Sequence, residues 1–274
     1  MSKTQQEKAT AFAALHERDE AFVIANAFDG CSARMFEALG YEAIATSSWV
    51  QAAMLGRFDG NTSRTEAMAH AKVIVEASDL PVSADLENGF GEAPDDAANT
   101  ITQAGAIGLV GGSIEDASDD ASNPIYGFDL AVKRVEAAVA AARALPFKFT
   151  LTARTENFVR GITDLEDTLR RLQAFEAAGA DVLMAPGLPD LESVRHVCKN
   201  VGKPVNFMAG IPGQSFTQSA LQNAGVTRIS VATSLYTTAM AAAWEAAIEI
   251  RDHGTFTYID RPGVIDFATL LRST

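Results

Sequence analysis

Short apolar runs alternate along the chain with longer stretches in which apolar and small residues return every three or four positions. The runs are FVIANAF (22–28), AIATSS (43–48), LPVSADLE (80–87), IGLVGGSIED (107–116), FKFTLTARTE (147–156), DVLMAP (181–186), KPVNFMA (203–209) and RISVAT (228–233). Runs of this length read as strands. The Ala-rich stretches between them, such as PDDAANTITQAGA and DLEDTLRRLQAFEAAGA, read as amphipathic helices. AGA at 104–106 and 178–180 and NAG at 223–225 mark helix stops, with glycine supplying the left-handed cap. The opening segment MSKTQQEKATAFAALHERDE reads as one more amphipathic helix.

Eight strand–helix units without an antiparallel signal predict a (β/α)8 TIM barrel, an α/β fold, as a single domain over 1–274. A doubly wound sheet usually needs fewer units, and no GxGxxG follows the first strand. The last helix is expected over roughly 235–252, and 253–274 (HGTFTYIDRPGVIDFATLLRST) forms a C-terminal extension. A tail this apolar must pack on the underside of the barrel or on a neighbouring subunit.

Composition narrows the function. Hydrophobic residues make up 47 % of the chain, enough for a large core. The formal net charge of −13 argues against nucleic acid or an anionic membrane as partner, and it requires positive charge to be concentrated locally if the substrate is an anion. Cys31 and Cys198 lack CxxC spacing, which fits a reducing compartment and offers no structural zinc site. No apolar run reaches membrane-spanning length, so a cytoplasmic protein is expected.

Barrel chemistry sits at the C-terminal ends of the strands. There the sequence places Asn26 and Asp29, Ser47 and Ser48, Asp85 and Glu87, Glu115 and Asp116, Arg154 and Glu156, and Asn206, with Asp59 in the loop GRFDGNTS. Period-two alternation puts Asp85 and Glu87 on one side of a strand, where like charges require neutralisation. Carboxylates gathered without thiolates or imidazoles suit a hard divalent cation such as Mg²⁺ or Mn²⁺; N-caps and salt bridges are the structural alternative. Arg154 is a candidate clamp for a substrate carboxylate, or else a partner of Glu156 or Glu115. TSSWV offers N–H groups and hydroxyls to an oxyanion. His16, His70, His196 and His253 fall in helical or tail segments, and every lysine lies off the rim, which disfavours a Ser-His-Asp triad, a histidine-bound metal and a Schiff base.

These motifs resemble the isocitrate lyase / phosphoenolpyruvate mutase superfamily, nearer its smaller phosphonomutase-like bacterial members. The resemblance covers roughly 10–250 and rests on ATSSW with Asp59 twelve residues after Ser47, on SADLENGFG in place of D-x-D-x-G-[YF]-G, on GGSIED and on LTARTE. It implies a Mg²⁺- or Mn²⁺-dependent enzyme acting on a 2-oxo carboxylate or its enolate. Asp85, Glu87 and Glu115 would hold the metal directly or through water. Asp59 would be a further metal-shell group, matching the nucleophile of phosphoryl-transferring members. Ser47, Ser48 and Arg154 would contact substrate, and the barrel's last helix would be exchanged within a homodimer or homotetramer; Trp49 beside the serines and Asn206 at its strand end are added as substrate contacts by position.

Departures from the family pattern direct the substrate reading. The K-[KR]-C-G-H loop of isocitrate and methylisocitrate lyases is replaced by DASDDASNPIYGF, without cysteine, lysine or histidine, so those activities are not expected. Asn123 fits the lid asparagine of the phosphonate enzymes, but Asp119 and Asp120 stand where cations would hold a phosphonate, and MAPG lacks their histidine. The leading expectation is a Mg²⁺-dependent lyase that cleaves or forms a C–C bond beside a 2-oxo carboxylate, on an oxaloacetate- or substituted-malate-like substrate, through a metal-stabilised enolate. Asp59, Arg154, Ser48 and Asn123 are its catalytic candidates. A phosphonomutase or C–P hydrolase is the alternative, and a non-catalytic oxo-acid-binding barrel is the second.

Overall fold

The computed structural model describes residues 2–118, 120–260 and 265–271. Eight strands run parallel and close in chain order: β1 (Phe22–Asn26), β2 (Ile44–Ala45), β3 (Val82–Asp85), β4 (Gly111–Glu115), β5 (Thr150–Arg154), β6 (Val182–Met184), β7 (Val205–Met208) and β8 (Arg228–Ser230). The helices are α1 (Gln5–Leu15), α2 (Gly30–Ala38), α3 (Ser48–Met54), α4 (Arg64–Ala77), α5 (Pro94–Ala106) and α6 (Phe128–Ala144). Then come α7 (Leu165–Ala177), α8 (Leu191–Asn200), α9 (Gln218–Asn223), α10 (Ser234–His253) and α11 (Phe267–Leu270). The chain is a (β/α)8 barrel with an N-terminal helix and a C-terminal helical tail.

Local chemistry starts and stops these helices. Thr4 with Glu7 and Ser63 with Glu66 form reciprocal capping boxes on α1 and α4, and Asp29, Asp164, Asp190 and Thr217 cap four others. Gly179 and Gly225 take the expected left-handed conformation at φ 100° and 102°. The first AGA differs. Gly105 stays inside α5 against Leu145, and Gly108 at φ 101° makes the turn instead. β2 is shorter than the run 43–48 because Ser47 leaves the sheet to cap α3.

Helix α1 closes the N-terminal end of the barrel. Phe12 is fully buried, and His16 packs edge-on between Phe12 and Phe22. A Cβ at Gly111 would lie 2.7 Å from the Phe12 ring and 3.0 Å from the Thr150 carbonyl, so glycine there lets the plug seat.

The other end of the chain behaves differently. No residue of the 20-residue helix α10 is buried. Met240 and Trp244 are 51 % and 69 % exposed, which a single copy of the chain leaves in water. Its first turn meets the barrel wall, where Tyr236 stands edge-on to the rings of Phe28 and Trp49. The tail then returns to its own barrel. Leu270 is buried and Arg34 of α2 donates to the Leu271 carbonyl at 3.2 Å. The remainder of the extension, 261–264 and 272–274, lies outside the described residues. No described helix is long and apolar enough to cross a membrane.

Candidate active site at the barrel mouth

Strand register brings the rim chemistry together. Glu115 pairs with Arg154 across β4 and β5, and Asp85 pairs with Ser113 across β3 and β4. Above them opens a cavity of about 350 Å³ reached by Ser47, Ser48, Trp49, Asp59, Asp85 and Arg154. A second, more polar cavity adjoins it under the loop 117–125 and is lined by Glu87, Glu115, Asp120 and Arg160.

Asp85 is held by its neighbours. Its Oδ2 accepts from the Ser48 backbone N–H at 3.2 Å and the Ser48 hydroxyl at 2.9 Å, and its backbone N–H donates to Thr46 Oγ1 at 3.0 Å. Asp59 lines the same cavity, and its pKa is raised by burial and by the Asp85 charge. Ser47 caps α3 with its side chain and so aims this turn at the cavity.

Arg154 sits amid carboxylates: its Nε donates to Glu156, and its Nη1 lies 3.3 Å from Glu115 and 3.7 Å from Asp85. Burial opposes the arginine's charge, but Glu115, Glu156 and Asp85 more than offset it and raise its pKa well above the ordinary value. Burial pushes Glu115 up strongly, with Glu156 and Asp85 adding and Arg154 opposing. By formal count the acids at the mouth, Asp59, Asp85, Glu87, Glu115 and Glu156, outnumber Arg154, Arg160 and Arg228.

Two expected metal ligands are not arranged as alternation suggested. β3 ends at Asp85, and Glu87 takes a left-handed φ of 50°, so the two are no longer in strand phase. Glu87 reaches sideways to accept from Thr62 Oγ1 at 3.0 Å and lines the outer cavity. Among the described residues, no three Asp, Glu, His or Cys groups form a ready-made metal cage. The donor set nonetheless fits a hard cation that keeps most of its waters: every available donor is oxygen, and the charge at the mouth is in surplus. Asp85 with Glu115, and Glu87 through water, would hold such an ion.

Other residues have different employment. Asn206 is buried in the cavity floor, where its Oδ1 accepts from Arg228 Nε at 2.8 Å and its Nδ2 donates to Ser230 at 3.0 Å. Asn26 ties β1 to the Thr46 carbonyl and the Val231 N–H. Asp29 is a helix cap. Asn123 lines neither cavity; its Nδ2 donates to Asp120 Oδ2 at 2.9 Å and closes the turn of the lid on itself. Asp119, the other lid acid, lies outside the described residues. Asp116 turns away from the mouth, accepting from Glu156 N, Thr155 Oγ1 and Arg171 Nη1. Burial raises its pKa to about 6. It ties the ends of β4 and β5 to α7. His16 is the C-cap of α1, while His70, His196 and His253 lie on α4, α8 and α10, all away from the mouth.

Two arginines enter that sequence reasoning passed over. Arg160 stands in the turn after β5, where no strand alternation applies. Arg228 opens β8 at an inward phase, alternating with Ser230, and a charged residue at such a position was a readable signal. Its guanidinium donates to Asn206 and Thr152, both at 2.8 Å, and meets His16 Nε2 at 3.4 Å.

Fold and mouth together define a class: a (β/α)8 barrel whose strand ends gather acids around an arginine. The chain belongs to the family described as phosphoenolpyruvate phosphomutase, which matches residues 12–251, within the PEP mutase/isocitrate lyase superfamily of enzymes. It is similar to a Burkholderia cenocepacia protein assigned only as far as lyase or mutase. The identity is 46 % and the TM-score 0.94, over 98 % of this chain and 96 % of that one. A 2,3-dimethylmalate lyase superposes with a TM-score of 0.86 at 26 % identity, over 97 % of this chain and 94 % of that one. An oxaloacetate decarboxylase of Paraburkholderia xenovorans is 33 % identical over 204 residues, 72 % of this chain and 66 % of that protein.

Proposed function

We propose that this protein is a Mg²⁺- or Mn²⁺-dependent lyase that cleaves or forms a carbon–carbon bond beside a 2-oxo carboxylate. The substrate would be oxaloacetate-like or a substituted malate. The observation that carries this reading is the convergence on Arg154 of Asp85 and Asp59 from the inner cavity and Glu115 from the adjoining outer one. Relatives named for oxaloacetate and dimethylmalate support the substrate class.

An ion held by Asp85 and Glu115 would polarise the oxo acid and stabilise the negative charge that develops as the bond breaks. The remaining work falls to side chains already in place. Arg154 faces the substrate carboxylate. Ser48 keeps Asp85 aimed inward through its N–H and hydroxyl. Trp49, half exposed at the rim, covers the entrance. A phosphonate finds less to hold it, because the acids Glu87, Glu115 and Asp120 line the outer cavity. Helix α10 would be exchanged with a second copy of the chain, which would cover Met240 and Trp244.

Calorimetric titration with oxalate, a mimic of the pyruvate enolate, tests the site before the substrate is known. Tight binding that needs Mg²⁺ and disappears in Asp85→Ala is expected. Binding that ignores the metal, or survives the substitution, would sink the reading. Oxalate binding without turnover of any oxo acid would point to a silent binding barrel.

A further inference from the structure

We propose that Arg160 recognises the distal carboxylate of the substrate and makes the site selective for dicarboxylates over 2-oxo or 2-hydroxy monoacids. The proposal rests on the oxo-acid reading above and deepens it.

Three arginines border the inner cavity, and two are committed. Arg154 is enclosed by acids with its side chain 14 % exposed. Arg228 is buried in the floor on neutral acceptors. Arg160 differs from both. Its side chain is 40 % exposed, and its nearest acids, Glu156 at 3.6 Å from Nε and Glu115 at 3.9 Å from Nη2, lie beyond hydrogen-bond reach. Among the described residues its guanidinium donates no hydrogen bond. A planar fork of five donors is thus unspent at the junction of the two cavities.

Its mounting is rigid. Arg160 N–H donates to the Glu156 carbonyl at 3.0 Å and Ile162 N–H to the Asn157 carbonyl at 2.7 Å. Asn157 is fully buried and donates to Asp167. A substrate whose oxo-acid end lies at Asp85 and Arg154 extends into the outer cavity. There Asp59, Glu87, Glu115 and Asp120 would repel a second carboxylate, and the described lining supplies only Arg154 and Arg160 as cations. A guanidinium with free donors accepts a carboxylate through paired N–H···O bonds, which Arg154 is too enclosed to do twice.

The test compares ligands that differ only in the distal group. Malate and lactate of the same hand share a 2-hydroxy carboxylate head; malate adds a second carboxylate. Both are titrated by calorimetry in saturating Mg²⁺, beside oxalate, into wild type, Arg160→Gln and Arg160→Lys. Wild type is expected to prefer malate. Arg160→Gln should weaken malate about 10- to 100-fold, the weight of a charge-assisted pair, while lactate and oxalate stay within about twofold. Arg160→Lys should retain part of the preference. An unchanged malate-to-lactate ratio in Arg160→Gln, or equal loss for all three ligands, overturns the role of Arg160 and leaves the oxo-acid site standing. Failure of wild type to bind oxalate overturns that site, and this proposal with it.

Discussion

Replacing Arg228 by methionine should make the protein more stable. The guanidinium is buried on Asn206, Thr152 and His16, none of them an acid. Burial lowers its pKa from the ordinary arginine value to about 9. At about 1.4 kcal/mol per unit, keeping it charged near neutral pH costs the folded state about 5 kcal/mol. The sign follows from linkage. A base with a depressed pKa penalises the fold in full below the folded value, and the penalty fades as pH rises from there toward the ordinary arginine value. Against this gain, methionine leaves Asn206 Oδ1 and Thr152 Oγ1 without their donor, about 1–2 kcal/mol each, and the 3.4 Å contact to His16 contributes least. The balance is a gain of about 1–3 kcal/mol. Urea unfolding followed by circular dichroism, at fixed protein concentration and neutral pH, should show a higher midpoint with an unchanged slope. The same variant should bind oxalate more weakly at saturating Mg²⁺, because the floor loses its positive charge. A loss of stability beyond about 1 kcal/mol would refute the reasoning and show that the neutral acceptors outweigh the missing counter-ion.

His16, whose pKa burial and Arg228 lower to about 3, must stay neutral in the fold while the unfolded chain protonates near 6.5. Its contribution to stability therefore falls as pH drops from 6.5 toward 3, by up to about 1.4 kcal/mol per pH unit. His16→Gln, which still offers Arg228 an acceptor, should flatten the acid limb of a stability–pH curve; superimposable limbs would disprove this. Placing glutamates at Met240 and Trp244 should convert an oligomer into monomers by light scattering, and an oligomer that persists would mean that α10 is not its seam.

Much of this architecture was legible because barrel strands and helices differ in period and because glycine marks helix ends. Every strand run contained its strand, and Asp85, Glu115 and Arg154 met as the strand ends required. The misses have local physical causes. Glu87 left strand phase because the chain turns left-handed at that residue, and a period-two argument has no access to a single φ. Gly105 looked like a cap because AGA recurs, yet Leu145 packing kept it helical. Asn206 was read by its strand position as a substrate contact, and only the tertiary placement of Arg228 shows what occupies its amide. Arg160 lies in a turn, where spacing carries no directional information.

Tyr236 gives helix α10 a second meaning. Its ring stands 5.5 Å from Phe28 and 6.5 Å from Trp49, so the root of an otherwise unburied helix is part of the wall of the mouth. Under the helix exchange proposed above, α10 would act as a lever with its short arm at the entrance and its long arm on the second copy. A copy that covered Trp244 would then also set how stiffly Trp49 is held. Dilution, which releases a bound copy by mass action, should then loosen the entrance, and the affinity for small anions should depend on enzyme concentration.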